Sequence, residues 1–400
     1  MKLNSVFELY KVEGRHSDLS LSNVHKVLLN MKVEVVGAGI NGLSAAYCLA
    51  ERFPFCDITI TSADNETGNC SEHGFGLVIT RKLGIMDHDD VTKFVQKTRD
   101  YCHDLSPEEA RERGIELMEI LSLINFHENN TRKAHKRGPV TPVEVTNLIG
   151  SGIDVRRATE REMQEAGYVE KNRGLAEVLE DNNISNVSLQ GYISHHYVID
   201  PTVYLPWLRR RLDELTKSNG RIKRVNFVNR KLVHFSDLQP CDLIINCSGV
   251  GARELCDDPY VLPMRGQYFS LTCPVKRCFC ANHIVIVPRR NDTAVAGVYQ
   301  VGRWDCQTEP EDPTNILRQA EAVSPALKAG EIRKVDVGIA PGRIGGPRVE
   351  VEFINAKGGN GKTPIIHNYG HGPRGIAQHW GCAQKVTELA AEYFKLSSNL

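Results

Sequence analysis

Gly37-Ala38-Gly39-Ile40-Asn41-Gly42 is a full G-x-G-x-x-G, the pattern by which a backbone comes close to a pyrophosphate. Gly37 suits the tight turn, Gly39 the approach of the phosphates, and Gly42 the packing of a helix on a strand. Asp64 follows 22 positions after Gly42 and is the candidate acceptor for a ribose hydroxyl, with Glu66 close enough to compete. A second stretch, "HNYGHGPRG" at 367–375, sets Gly370, Gly372 and Gly375 among His371, Pro373 and Arg374. Glycine costs a helix about 1 kcal/mol relative to alanine, so these residues serve a bare backbone loop that something approaches. A third, "APGRIGGPRVEVE", flanks Arg343 and Arg348 with Gly342, Gly345 and Gly346. A guanidinium in such a turn either binds an anion through its planar fork or lies solvated at the surface.

Other stretches only imitate sites. "AKGGNGKT" at 356–363 has Ala356 where a P-loop needs glycine, and "PIIHNY" after it reads as a strand, so it is expected to be a hairpin turn. Cys273, Cys278 and Cys280 lack a paired C-x-x-C spacing, and no metal site is expected. His195 and His196 are adjacent, so on a strand they point to opposite faces.

The elements that must position these residues are legible around them. Val33, Val35 and Val36 read as a buried parallel strand, and Leu43, Ala46, Tyr47 and Ala50 follow at helical spacing. "CDITITSAD" supplies the next strand. In "VIDPTVYLPWLRRRLDEL" Pro206 predicts a firm helix start near Leu205, with Leu205, Leu208, Leu212 and Leu215 as the apolar face. "CDLIINCSGVGAREL" is an apolar strand running into Ser248 and Gly249, whose short side chains suit contact with the same dinucleotide. "LPMRGQYFSLT" and "HIVIVPRRNDTAVAGVYQ" alternate and predict an antiparallel sheet in a second domain. Residues 1–30 show no clear period and read as a loosely packed extension.

Forty-nine basic residues balance 49 acidic ones, which argues against nucleic acid as a partner. No run of about 18 apolar residues occurs, so no membrane span is expected, and no secretory signal is evident. The 12 cysteines are scattered and read as reduced thiols. The glycine fingerprint by itself allows NAD or FAD.

Taken together, "VVGAGINGLS", "YLPWL", "DLIINCSGVGA", "PMRGQ", "VIVP", "PGR" with "RVEVE", and "HNYGHGPRGIAQHWGCA" resemble the D-amino-acid oxidase and D-aspartate oxidase family. The resemblance implies an α/β fold in which a dinucleotide-binding FAD domain is interleaved with an antiparallel-sheet α+β substrate domain. The FAD domain would comprise 31–80, 205–258 and 345–400, and the cap 81–204 and 259–344. It implies FAD as cofactor, held by Gly37, Ala38, Gly39, Ile40, Asn41, Gly42, Asp64, Ser248, Gly249, Gly370, His371, Gly372, Gly375 and Ile376. It implies a D-amino acid and oxygen as small-molecule partners, with hydride passing to FAD and no side chain assigned as catalytic. Arg343 would clamp the substrate carboxylate, and Gly372, Pro373, Arg374, His283 and Val285 would line the substrate site. The helix carrying Val386, Leu389, Ala390 and Phe394 would pack on the FAD domain. Val285 stands where the family commonly has an aromatic residue, and Ala340 where it commonly has a further arginine. Arg374 and the ending Ser398-Asn399-Leu400 suggest an acidic substrate, D-aspartate or D-glutamate. That ending also resembles a Ser-Lys-Leu address, which implies a peroxisomal import receptor as partner.

Overall fold

A computed structural model describes residues 31–54, 56–63, 70–80, 86–127, 153–165, 187–217, 225–273, 275–281, 284–308, 311–355 and 362–397. Residues 1–30, Asp64, Glu66, His283, residues 356–361 and Ser398-Asn399-Leu400 lie outside the described residues.

In chain order, β1 (Lys32–Val36) leads to α1 (Ile40–Arg52) and β2 (Asp57–Ser62). Next come α2 (Asp89–His103), α3 (Pro107–Arg113), β3 (Ile115–His127), β4 (Ile153–Arg157) and β5 (Val187–Ile199). Helix α4 (Pro201–Lys217) precedes β6 (Val225–Asn229), β7 (Leu243–Asn246) and β8 (Val261–Leu271). Strands β9 (Cys278–Ala281), β10 (Ile284–Pro288) and β11 (Thr293–Val301) run to α5 (Glu311–Val323) and β12 (Ile332–Arg343). The chain closes with β13 (Val351–Asn355), β14 (Lys362–His367) and α6 (Gly375–Ser397).

Two sheets result. The first has order β13-β14-β7-β1-β2-β6 and is parallel from β14 to β6, with β13 antiparallel at one edge. The second has order β12-β8-β11-β10-β9-β3-β5-β4 and is antiparallel except where β3 runs beside β9. Strands β13 and β14, which flank residues 356–361, pair antiparallel.

The main core joins β1, β2 and β7 to α1, α4 and α6, with Val386, Ala390 and Phe394 buried as the helical spacing predicts. Val91, Val95 and Cys102 of α2 belong to this core too, so residues 89–103 pack on the dinucleotide domain although they fall in the segment expected to form the cap. A second core, including Phe269, Ile286, Val295 and Ile316, lies between the second sheet and α5.

Helix α4 starts at Pro201, four residues before the expected point, with Pro206 inside it. Asp200 explains the start: its Oδ1 accepts from Thr202 N at 3.0 Å and from Thr202 Oγ1 at 2.7 Å. An interior proline costs about 3 kcal/mol. Burial of Tyr204, Trp207, Leu208 and Leu212, each at 2% exposure or less, contributes about 1.5–3 kcal/mol per large apolar side chain and outweighs it.

Candidate active site

A cavity of about 1200 Å³ is lined from both sheets. At one end lie Gly37 to Asn41, Thr61 and Ser62 at the end of β2, Phe227 to Leu232 at and beyond the end of β6, and Ser248 to Gly251 after β7. Gly37 adopts φ +106, and a Cβ there would meet Cys247 O at 2.3 Å. A Cβ on Gly42 would meet Gly37 O at 1.9 Å. These two glycines therefore serve the protein's own packing, strand against turn against helix. Gly39 differs: a Cβ there would meet only Ser71 Oγ, at 3.1 Å, so the space beside it opens into the cavity. Gly39 is the N-cap of α1 and has no side chain to cap the helix; Ser71 Oγ takes the Ile40 N–H, and the first turn holds no acidic residue. A helix N-terminus without acidic residues, bordering a cavity, suits an anion. Asn41 and Ser248 belong to the same lining, and Asn41 Oδ1 and Ser248 Oγ are buried without a hydrogen-bond partner among the described residues.

The end of β7 is held from beneath. Asn246, fully buried, donates from Nδ2 to His367 Nδ1 at 3.1 Å, and its Oδ1 accepts from Ser248 N at 3.2 Å. His367 Nε2 donates to Glu352 Oε2 at 3.0 Å, while burial and then Arg348 push its imidazole below the usual range.

The glycine loop occupies the other end. Gly370 has φ +86, and a Cβ there would lie 2.8 Å from Arg343 Cβ, so only glycine lets the loop settle on the arginine's stem. His371, Gly372, Pro373, Arg374, Gly375 and Ile376 all line the cavity. His371 Nε2 donates to Asn368 Oδ1 at 3.1 Å, and burial, then Arg374 and His379, push its imidazole down to about 3, so it faces the cavity neutral. Beyond the loop the second sheet supplies a wall of Met264, Val285, Ala296, Ile339 and Ala340. The register sets Tyr268, Ala296, Val285 and Cys280 side by side across four strands.

The arginines are placed otherwise than the sequence suggested. Arg343 does not line the cavity. Its Nε donates to Asp258 Oδ2 at 2.9 Å, an oxygen that also accepts from Tyr369 OH at 2.9 Å. Its Nη1 reaches Gly346 O at 3.3 Å. The fork is spent on closing a turn, so the geometry assigns Arg343 a structural task in place of the expected carboxylate clamp. Arg348 is paired with Glu350 and Glu352. Arg374 does line the cavity, but Nη1 meets Asp87 Oδ1 at 2.8 Å and Nη2 donates to Met86 O at 3.0 Å. Arg265, fully buried, donates to Gln300 Oε1 at 2.6 Å and to Gln307 O. Arg289 grips Asp292 with two bonds of 2.7 Å.

One cavity segment was not singled out from the sequence. Residues 70–77 form a single 3-10 turn and a glycine-flanked run against the fingerprint, α6 and β12. Ser71 Oγ accepts from Ile40 N at 3.0 Å. His73 sits beside Tyr268 and pairs with Asp336 at 2.8 Å. The available signal was "EHGFG", a histidine beside two glycines, which fits the same logic as the carboxy-terminal loop.

A parallel sheet with a phosphate-binding turn, a cavity sized for a dinucleotide, and a second sheet over one end define an oxidoreductase built around a bound dinucleotide. The family model described as FAD dependent oxidoreductase matches residues 32–389, and the chain belongs to that family; its cofactor is FAD. A D-amino-acid oxidase of Rubrobacter xylanophilus is 39% identical over 155 residues, which cover 37% of this chain and 46% of that protein. Human D-aspartate oxidase is 26% identical over 367 residues, 90% of this chain and 95% of that one. D-amino acid oxidase of Dugesia ryukyuensis is 28% identical over 367 residues, 90% and 98% of the two chains. Among solved structures, glycine oxidase from Geobacillus kaustophilus superposes with a TM-score of 0.67 at 18% identity, covering 91% of this chain and 95% of that one. L-alpha-glycerophosphate oxidase from Mycoplasma pneumoniae with FAD bound gives 0.62 at 13% identity, covering 90% and 95%.

Proposed function

We propose that the chain is an oxidase of D-amino acids with neutral side chains. The observation that carries this is the wall of Met264, Val285, Ala296 and Ala340 beside the glycine loop, in the part of the cavity that the second sheet covers. A second carboxylate, as on D-aspartate, needs a second cation in a partly dry site. Of the arginines weighed for that task, Arg265 and Arg289 do not line the cavity and are bonded to Gln300 and Asp292, which leaves Arg374 as one cation for one carboxylate and speaks against the acidic preference expected from the sequence. Bound FAD supplies the two-electron acceptor for oxidation of an amine-bearing carbon. Arg374 contributes the positive charge nearest the loop for the substrate carboxylate, with Asp87 fixing its plane. Gly372 and Pro373 offer backbone without bulk where the amine approaches. The apolar wall excludes water and holds the side chain, which orients the Cα–H. The imino product hydrolyses to a 2-oxo acid and ammonia, and oxygen takes up the electrons as hydrogen peroxide.

A second reading, a family member with little turnover, is supported by the position of Arg343 outside the cavity, and a glycine- or sarcosine-type oxidase stands as a further alternative. Peroxide release from D-alanine, D-methionine, D-proline, D-aspartate, glycine and sarcosine separates them. Oxidation of D-alanine or D-methionine in preference to D-aspartate is expected. Peroxide from D-aspartate alone would sink the neutral-side-chain reading.

A further inference from the structure

We propose that His367 is a positioning residue for FAD: its neutral ring fixes Asn246 in the one orientation that shapes the Ser248–Gly251 turn, and protonation of the ring releases the cofactor. The inference needs FAD as the cofactor and no particular substrate.

The turn joins two walls of the dinucleotide end. Ser248, Gly249, Val250 and Gly251 line the cavity. A Cβ on Gly37 would lie 2.3 Å from Cys247 O and 3.4 Å from Ser248 N, so the turn rests directly on the first glycine of the fingerprint. Asn246 and His367 stand behind this lining, at 0% and 1% exposure. They are partners in register at the ends of the parallel strands β7 and β14.

The donors dictate one arrangement. Ser248 N–H only donates, so the Asn246 atom 3.2 Å away is the carbonyl oxygen, Oδ1. Asn246 Nδ2 then faces His367 Nδ1 at 3.1 Å and also donates to Cys256 Sγ at 2.9 Å. Because Nδ2 only donates, Nδ1 presents a lone pair and the ring proton sits on Nε2. Nε2 accordingly donates to Glu352 Oε2 at 3.0 Å. A second proton has one place to go, Nδ1, where it would point at Nδ2. Turning the amide over relieves that clash and sets Nδ2 against Ser248 N–H instead. Either way two donors face each other in a buried site, and only movement of the turn separates them.

The charged and titratable groups facing His367 are Glu352 of β13, Arg348 and Glu350 just before it, Cys256 on the far side of Asn246, and Tyr369, whose ring lies 5.5 Å away. Beyond Tyr369 stand Asp258 and Arg343. Burial first, and then Arg348, push the imidazole below its ordinary range, so the ordered turn keeps the ring neutral at pH 7. With the turn released the ring regains its ordinary value, and binding of FAD then sends the Nδ1 proton to solvent. FAD affinity is therefore full above about pH 6.5 and lost as the pH falls below it.

The test is the dissociation constant of FAD, read by flavin fluorescence on diluting the FAD-loaded protein at pH 8 to 5.5, for wild type, His367→Asn and Asn246→Asp. One proton taken up at an ordinary histidine value weakens FAD binding by wild type about 10-fold between pH 7.5 and 5.5. Asparagine can set its carbonyl oxygen where Nδ1 lies and does not titrate, so His367→Asn should lose that part of the slope. Asn246→Asp offers one oxygen to Ser248 N and one to a protonated Nδ1, so its affinity should hold or rise as the pH falls. His73 and His371 also border the cavity, and their contribution is common to all three proteins and cancels in the comparison. Parallel curves for wild type and His367→Asn would overturn the proposal, as would a wild-type loss retained in Asn246→Asp. Histidine 15N spectra of the FAD-loaded wild type, assigned by the His367→Asn difference, supply a reading that needs no titration, with Nε2–H expected and Nδ1–H overturning the arrangement.

Discussion

Arg343→Leu separates a structural arginine from a substrate clamp. Leucine keeps the stem that packs under Gly370 and removes the fork that binds Asp258. Asp258 is 6% exposed and would retain Tyr369 OH at 2.9 Å and Tyr260 N at 3.0 Å. Stripping one partner from a fully buried ion pair costs about 3–5 kcal/mol. Arg343 is 19% exposed and Asp258 keeps two donors, so a loss of about 2 kcal/mol is expected. Urea unfolding of the FAD-loaded protein measures it. Asp258→Asn and the double variant complete a cycle whose coupling should be about 1–3 kcal/mol. Steady-state kinetics on the best D-amino acid should change by less than about tenfold in kcat/KM, because the fork does not reach the chamber. A direct carboxylate clamp would instead lose on the order of a thousandfold, about 4 kcal/mol, with little change in stability. A thousandfold loss with an unchanged urea midpoint would refute the structural assignment and restore Arg343 as the anchor.

Gly39→Val should give colourless protein that keeps its secondary structure, because its φ of −75° suits any residue and the only close neighbour is Ser71 Oγ. Gly42→Ala should destabilise the protein with or without FAD, since its Cβ would overlap Gly37 O; melting curves and flavin titration distinguish the two, and a yellow Gly39→Val variant of normal affinity would remove the pyrophosphate site. Stability should fall steeply as pH drops from about 6.5 towards 4, the range set by the ordinary histidine value and the lowered ones. Burial first of all pushes His196 and His379 down to about 4 and His371 to about 3, so on unfolding each takes up a proton that the native state refuses; a flat urea midpoint across this window would contradict their burial. Deleting Ser398-Asn399-Leu400 from a tagged chain should abolish the proposed peroxisomal targeting, and unchanged imaging would exclude that address.

The cofactor end was legible in the sequence because it depends on local chain geometry. Strand, glycines, helix and second strand fall within about 30 residues, and each glycine answers to a neighbour fixed by that order. The close contacts at Gly37 and Gly42 are the packing that the pattern encodes. The substrate end was not legible, because its residues meet only through the two sheets. Arg343 and Asp258 are 85 positions apart, and Arg374 and Asp87 are 287 apart. An arginine among glycines looks the same whether its fork faces a ligand or a buried aspartate, and no spacing rule separates them. His73 and Asp336 are 263 positions apart and meet because the 70–77 segment crosses β12 at Gly338. The early start of α4 has the same origin: Pro206 argued locally for a later one, and burial of Tyr204 and Trp207 against α1 and α6 overrode it. Chemistry that arises from one segment is therefore readable in this chain. Chemistry that arises from a crossing of segments appears only when the fold is known.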